Sequence, residues 1–141
     1  MKLLAPATDN ISELLVKIIE FTHVRQKVLT QNINNVHSPG FMPKDMAVEE
    51  FSALLNEAVD EHIRNRRLVL RDAGSIKFGF NGSFIAEPVL DEYARGLLEE
   101  NPDEYLGLQI KKLVENSLNQ QVAAELLRQR QETILAPVYR V

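Results

Sequence analysis

The side chains able to do chemistry are few and scattered. His23, His37 and His62 lie far apart, with no Cys and no His-Glu-x-x-His spacing, so they do not compose a metal site. The acidic neighbours Glu49-Glu50 and Glu99-Glu100 diverge by about 100° on a helix, which is wrong for an acid/base pair. Arg64, Arg66, Arg67 and Arg71 form a basic cluster, but Asp60, Glu61 and Asp72 stand beside them. A solvated, charge-balanced face is the plainer expectation; a contact with a partner or with peptidoglycan is the other. There is no P-loop, no dinucleotide fingerprint and no nucleophile elbow. With no cysteine, disulfides, thiolate metal ligands and a thiol nucleophile are excluded. These residues imply no cofactor, no metal and no catalytic group, and the expectation is a protein that is not an enzyme.

The elements that position these residues are mostly helical. The 141 residues suffice for one ordinary domain, and 45% hydrophobic with 26% charged residues is a globular composition. Aromatics are sparse at 6%, so the expected core is aliphatic. The net charge of −4 does not suggest nucleic-acid binding. Charge is uneven: residues 41–102 carry seven Lys/Arg against twelve Asp/Glu, whereas the flanks are near neutral. Near-neutral ends with an acidic middle suit a molecule whose ends pack together. Met1-Lys2-Leu3-Leu4-Ala5-Pro6 is too short for a secretory h-region, because Thr8-Asp9-Asn10 interrupts it. No apolar run is long enough for a membrane span.

Asn10 and Glu13 read as a capping box opening a helix over about residues 11–36. Ile11, Leu14, Leu15, Ile18, Phe21, Val28, Leu29, Ile33 and Val36 fall within one arc of roughly 140°. Thr22, Arg25 and Asn32 interrupt the stripe; polar residues in such a seam fix register and partner choice. Ser38-Pro39-Gly40-Phe41 predicts a type II turn with Gly40 at positive φ. A second helix is predicted over residues 46–67, with Phe51, Leu55, Ala58, Val59 and His62 on its apolar side and an Asp60–Arg64 pair. Two short apolar runs flank Asn81-Gly82, which predicts a hairpin. A short helix near residues 91–98 follows, and Asn101-Pro102 punctuates the chain.

A last helix is predicted over residues 103–135, stopped by Pro137. Leu106, Ile110, Leu113, Val114, Ala124, Leu127, Ile134 and Leu135 line one face. Val114, Leu118, Val122 and Leu126 form a second row at i+4 spacing. A helix apolar on two faces needs more than one neighbour. The expected fold is therefore mainly α: two long amphipathic terminal helices packed antiparallel in a coiled-coil-like pair, with a small middle insert containing a short β-hairpin. The division would be residues 1–45 and 103–141 as a terminal helical core, and 46–102 as the insert.

The segment Asn32-Ile33-Asn34-Asn35-Val36-His37-Ser38-Pro39-Gly40-Phe41 is the most informative. It resembles the Asn-Ile-Ala-Asn-x-x-Thr-Pro-Gly-Tyr signature of flagellar rod, hook and hook-associated axial proteins. Asn34, Ser38 and Phe41 are mild departures. Arg25-Gln26-Lys27-Val28-Leu29 before it, and Leu113-Val114-Glu115-Asn116-Ser117-Leu118 near the other end, are similar to the family too. The short length resembles the FlgB type, the proximal rod protein. The resemblance covers about residues 11–60 and 104–136; residues 68–102 carry none of it.

The resemblance implies a structural subunit of the bacterial flagellar basal body. Such a subunit polymerises through its terminal helices and transmits torque for motility. Its implied partners are other rod subunits, basal-body ring or adaptor proteins, further copies of itself and the flagellar export apparatus, with no nucleic acid. Its implied place is the periplasmic rod, reached by type III export without a cleaved signal peptide. The implied turn residues are Asn32, Ile33, Asn35, Ser38, Pro39, Gly40 and Phe41. The implied assembly surface is Ile11, Leu14, Leu15, Ile18, Val28, Leu29, Leu106, Ile110, Leu113, Val114, Leu118, Val122, Leu126, Leu127 and Ile134. A helical adaptor or export chaperone that holds a partner helix in a groove is the alternative.

Overall fold

The computed structural model describes residues 9–79 and 84–139, with residues 134–139 described by their backbone alone. The chain is mainly helical, with small two-stranded sheets in its middle. Helix α1 spans Asn10–Asn34. Its N-cap is Asp9, one residue before the expected Asn10: the Asp9 carboxylate accepts the Ser12 N–H at 2.8 Å. Asn10 instead reaches across to α2 (Val48–Asn65), donating to His62 Nδ1 and to the Arg66 carbonyl, each at 3.2 Å.

Between these helices the chain turns at Ser38–Phe41. The Phe41 N–H donates to the Ser38 carbonyl at 3.2 Å and Gly40 sits at φ +72°, as the Pro-Gly pair predicts. A strand β1 (Lys44–Asp45) follows, which the sequence reading did not anticipate. Helix α2 is shorter than expected at both ends. It closes on Arg66, held at φ +57°, the left-handed conformation of a helix C-cap.

The hairpin is present as β2 (Ile76–Phe78) and β3 (Phe84–Ala86), in register Ile76 to Ala86 and Phe78 to Phe84. Its expected Asn81-Gly82 turn lies outside the described residues. Strand β4 (Val89–Leu90) returns to pair antiparallel with β1, Lys44 opposite Leu90. Helix α3 (Glu92–Glu100) is capped by Asp91, which accepts from the Ala94 N–H at 3.1 Å. Helix α4 then runs over Pro102–Tyr139, with Asn101 accepting the Glu104 N–H and Pro102 at the first helical position. It continues past Pro137, contrary to the predicted stop. A proline so near a helix end removes one hydrogen bond only, from the Thr133 carbonyl, on a residue exposed to solvent.

The core joins α1 to the middle of the chain. Phe21 and Val28 of α1, Met46, Phe51 and Leu54, and Ile76 and Ala86 of the hairpin form one buried cluster. The Phe21 and Phe51 rings stack at 4.0 Å, and Phe84 tilts over Phe51 at 6.0 Å. Met46, α2 and the hairpin are thus packed into the same core as α1. On α2, Leu54 is buried where Val59 was expected, and Val59 is exposed. The pairing of Asp60 with Arg64 is replaced by Glu61–Arg67 at 2.5 Å and Glu57–Arg71 at 3.4 Å. Both arginines are about 70% exposed, which makes this the solvated face expected of such a cluster.

Candidate functional site: a polar junction and an exposed ridge

Two features stand out: a buried polar junction between α1 and α4, and an apolar ridge that α4 leaves uncovered. The junction uses the residues that interrupt the α1 stripe. Asn32, 1% exposed, donates to the Lys44 carbonyl at 2.7 Å and to Gln109 Oε1 at 2.9 Å, and accepts the Lys44 N–H at 3.2 Å. One amide therefore fastens α1 to both β1 and α4. The Tyr105 hydroxyl, fully buried, donates to the Asn32 backbone carbonyl at 3.0 Å. Burial, and then the nearby Asp91 carboxylate, push the Tyr105 phenol up to about 12, so it stays a donor.

Further along, Asn116 donates to the Thr22 carbonyl at 2.7 Å. Thr22 turns its own hydroxyl back onto the Ile18 and Ile19 carbonyls. Arg25 grips Asp45 with two bonds, at 2.8 and 2.9 Å. Lys112 of α4 reaches both Asp45 and Asp91 at 3.0 Å. Burial alone would raise the Asp45 carboxyl, but Arg25 and Lys112 outweigh it and hold it below the usual range. Burial would likewise lower Lys112, yet the two carboxylates hold it above the ordinary lysine value. At the far end Arg130 grips Asp9, the α1 cap, at 2.9 Å. Paired groups of this kind specify which residues meet more than they add stability.

The turn residues have distinct fates. Asn35 donates to the Gln31 carbonyl at 2.9 Å and accepts from the Ser38 hydroxyl at 3.0 Å, closing the helix end. Ile33 and Phe41 are half-buried, and Ser38, Pro39 and Gly40 are exposed. Asn32 alone of this group enters the core.

The expected assembly surface divides. Leu14, Leu15, Val28 and Leu29 are buried within the single chain, and Ile11 and Ile18 are half-buried. They were expected between copies; α2, α4 and the hairpin cover them instead. On α4, Leu106, Leu113 and Leu127 are half-buried, and the side chain of Ile134 lies outside the described residues. Ile110 and Val114 do not face α1: they are 51% and 53% exposed. With Leu118 at 55%, Val122 at 57% and Leu126 at 47%, they make one i+4 ridge facing outward. Ala124, expected on the inner face, is exposed as well.

The residues that do face α1 are Tyr105, Gln109, Asn116 and Ala123, none of which the sequence reading places on the inner face. Their spacings of four and seven are those of a helix seam. The signal was present, but the eye follows leucines and these positions are polar, small or aromatic. Beside the ridge, Val122 and Leu126 form one wall of an open groove of about 330 Å³. Ile18 and Phe21 form its floor, and Val48 and Leu55 its opposite wall.

Among the described residues no helix is long and apolar enough to cross a membrane, and no three His, Cys, Asp or Glu cluster to hold a metal ion. Comparison with protein-family models, with curated proteins and with solved structures finds no match.

Proposed function

We propose that this chain is a structural subunit of a helical assembly, of the flagellar proximal-rod kind. The observation that carries the reading is the ridge from Ile110 to Leu126: five large apolar side chains in register, each roughly half exposed, along a helix that also packs on α1. A free-standing subunit gains nothing from such a ridge, whereas one flanked by neighbours buries it. Each side chain fully covered contributes about 1.5–3 kcal/mol, so half covering five of them supplies several kcal/mol per contact. The second support is the resemblance of Asn32–Phe41 to the axial-protein signature, with Asn32 at the junction that joins α1, β1 and α4.

On this reading α1 and α4 are the antiparallel, coiled-coil-like pair of the subunit, their seam registered by Asn32–Gln109, Thr22–Asn116 and Asp9–Arg130. The outward ridge of α4 meets the next copy. Contacts that do not close on themselves propagate as an open array. The work done is mechanical, in the basal-body rod, reached by type III export.

The test is genetic and structural together. Leu118→Asp and Leu126→Asp are expected to leave the circular-dichroism spectrum of the isolated subunit unchanged and to abolish motility in a strain relying on the variant. Full motility with both substitutions, or in a strain lacking the chain altogether, would overturn the reading. The groove beside the ridge favours one rival, a helical adaptor that seats a partner helix between α2 and α4. Under that reading Leu55→Asp in the groove would abolish function and Leu118→Asp on the open ridge would not.

A further inference from the structure

The ridge has an internal symmetry that selects its own partner. Leu118 is its midpoint. Counting outward, Val114 and Val122 are equidistant from it, then Ile110 and Leu126. The first charged pair equidistant from it is Lys111 and Glu125, seven residues to either side, which are of opposite sign. Two turns of helix return a side chain to within about 20° of its starting direction. Both charges therefore point the same way as Leu118, about 10.5 Å above and below it.

We propose that two copies of this chain pair through α4 about a two-fold axis at Leu118, running in opposite directions. In that arrangement Leu118 meets Leu118 of the second copy. Each Lys111 stands opposite a Glu125, twice per pair. A parallel arrangement would oppose lysine to lysine and glutamate to glutamate, so the charges choose the direction. Glu125 already bonds Arg128 on its own helix, and a carboxylate has room to accept a second cation. Such a pair is closed: the ridge is used up, and nothing propagates from it. The inference goes beyond the assembly reading and does not rest on it. The pair would be the form of the chain that keeps its ridge covered when it is not built into an array.

The chain has no cysteine, so one introduced thiol reports on one position. Facing Cα atoms on helices about 8–10 Å apart fall within the roughly 7 Å that a disulfide spans. Leu118→Cys in the full-length chain is expected to oxidise rapidly to a linked dimer. In sedimentation the unmodified chain is expected to move between monomer and dimer with concentration. Lys111→Glu or Glu125→Lys alone is expected to weaken the dimer about tenfold, and the double exchange to restore it. All these variants lie on the exposed face, and melting temperature checks that each is folded. A monomer at every concentration, a Leu118→Cys chain that does not cross-link, or a double exchange as weak as either single would each overturn the proposal. Open polymers lost on Leu118→Asp, but with no Leu118→Cys cross-link, would overturn the two-fold pair and leave the assembly reading standing.

Discussion

Asn32 and Asn116 look alike as buried amides on the α1–α4 seam, yet removing them should cost very different amounts. Asn32 makes three side-chain bonds, to the Lys44 N–H, the Lys44 carbonyl and Gln109. At about 1 kcal/mol each, Asn32→Ala loses about 3 kcal/mol. It also strands Gln109, whose Nε2 already has no partner among the described residues, adding about 1 kcal/mol more. Asn116 makes one described bond, to a Thr22 carbonyl inside α1. That carbonyl keeps the helical bond of residue 26 when Asn116 is gone. Asn116→Leu therefore loses about 1 kcal/mol, and burying an apolar side chain offsets most of it. Urea unfolding of the full chain measures both. With a slope of about 2 kcal/mol/M, Asn32→Ala should shift the midpoint down by about 2 M and Asn116→Leu by less than about 0.5 M, the slope unchanged. Equal shifts would show that the amides act through packing alone and that the Asn32 bonds to β1 carry no special weight.

Four further outcomes are expected. Gly40→Val should cost about 1–2 kcal/mol through backbone strain alone, since no atom lies within 4 Å of the added carbon; Gly40→Asn, which tolerates positive φ, should cost less in the same melts. Arg66→Gly should raise the melting point by relieving about 1 kcal/mol at φ +57°. Acid should weaken the fold in a definite window. The Asp9 carboxyl is pushed up by burial but held down at about 2 by Arg130 and Ser12, so its contribution is present above 3.8 and disappears as pH falls towards 2; an Arg130→Gln chain should show a shallower acid loss over that range. In alkali Tyr105 is neutral in the fold up to about 12, so its stabilisation is complete below 10 and lost as pH climbs from 10 to 12; melts of a Tyr105→Phe chain should show a shallower alkaline loss over that range.

Much of this architecture can be read from residue spacing, and the exceptions share a cause. Helix α1 announces itself because one face is apolar over seven turns. The ridge Val114–Leu118–Val122–Leu126 is equally plain. Ile110 belongs to it and not to the inner face, which follows once Gln109 and Tyr105 are seen to point at α1. What was illegible depends on partners distant in sequence. Asp9 and Asn10 are equally good caps by type; Arg130 from the other end of the chain pairs with the first of them. Two-residue strands such as β1 and β4 carry no period at all. They exist because Asn32 holds Lys44 in place and the Asp91 N–H donates to the Pro43 carbonyl at 3.0 Å. The salt cluster of Arg25, Asp45, Asp91 and Lys112 draws on four separate stretches, and no local pattern could assemble it. The resemblance places the leucines of α1 between copies; within one chain α1 packs chiefly on α4, whose seam is polar and small and carries no leucine stripe to announce it.

The pairing of residue 9 with 130, 22 with 116 and 32 with 109 has a temporal consequence. During synthesis each of these α1 residues is made 77 to 121 residues ahead of its partner, so α1 exists for that long without the strip of protein that dries one side of it. Loops of this span are slow to close, since each must surrender its freedom before any contact rewards it. The nascent chain is therefore sticky early and settles late, and a ribosome stalled before Tyr105 would hold a helix whose Asn32 has neither its phenol nor its glutamine to greet.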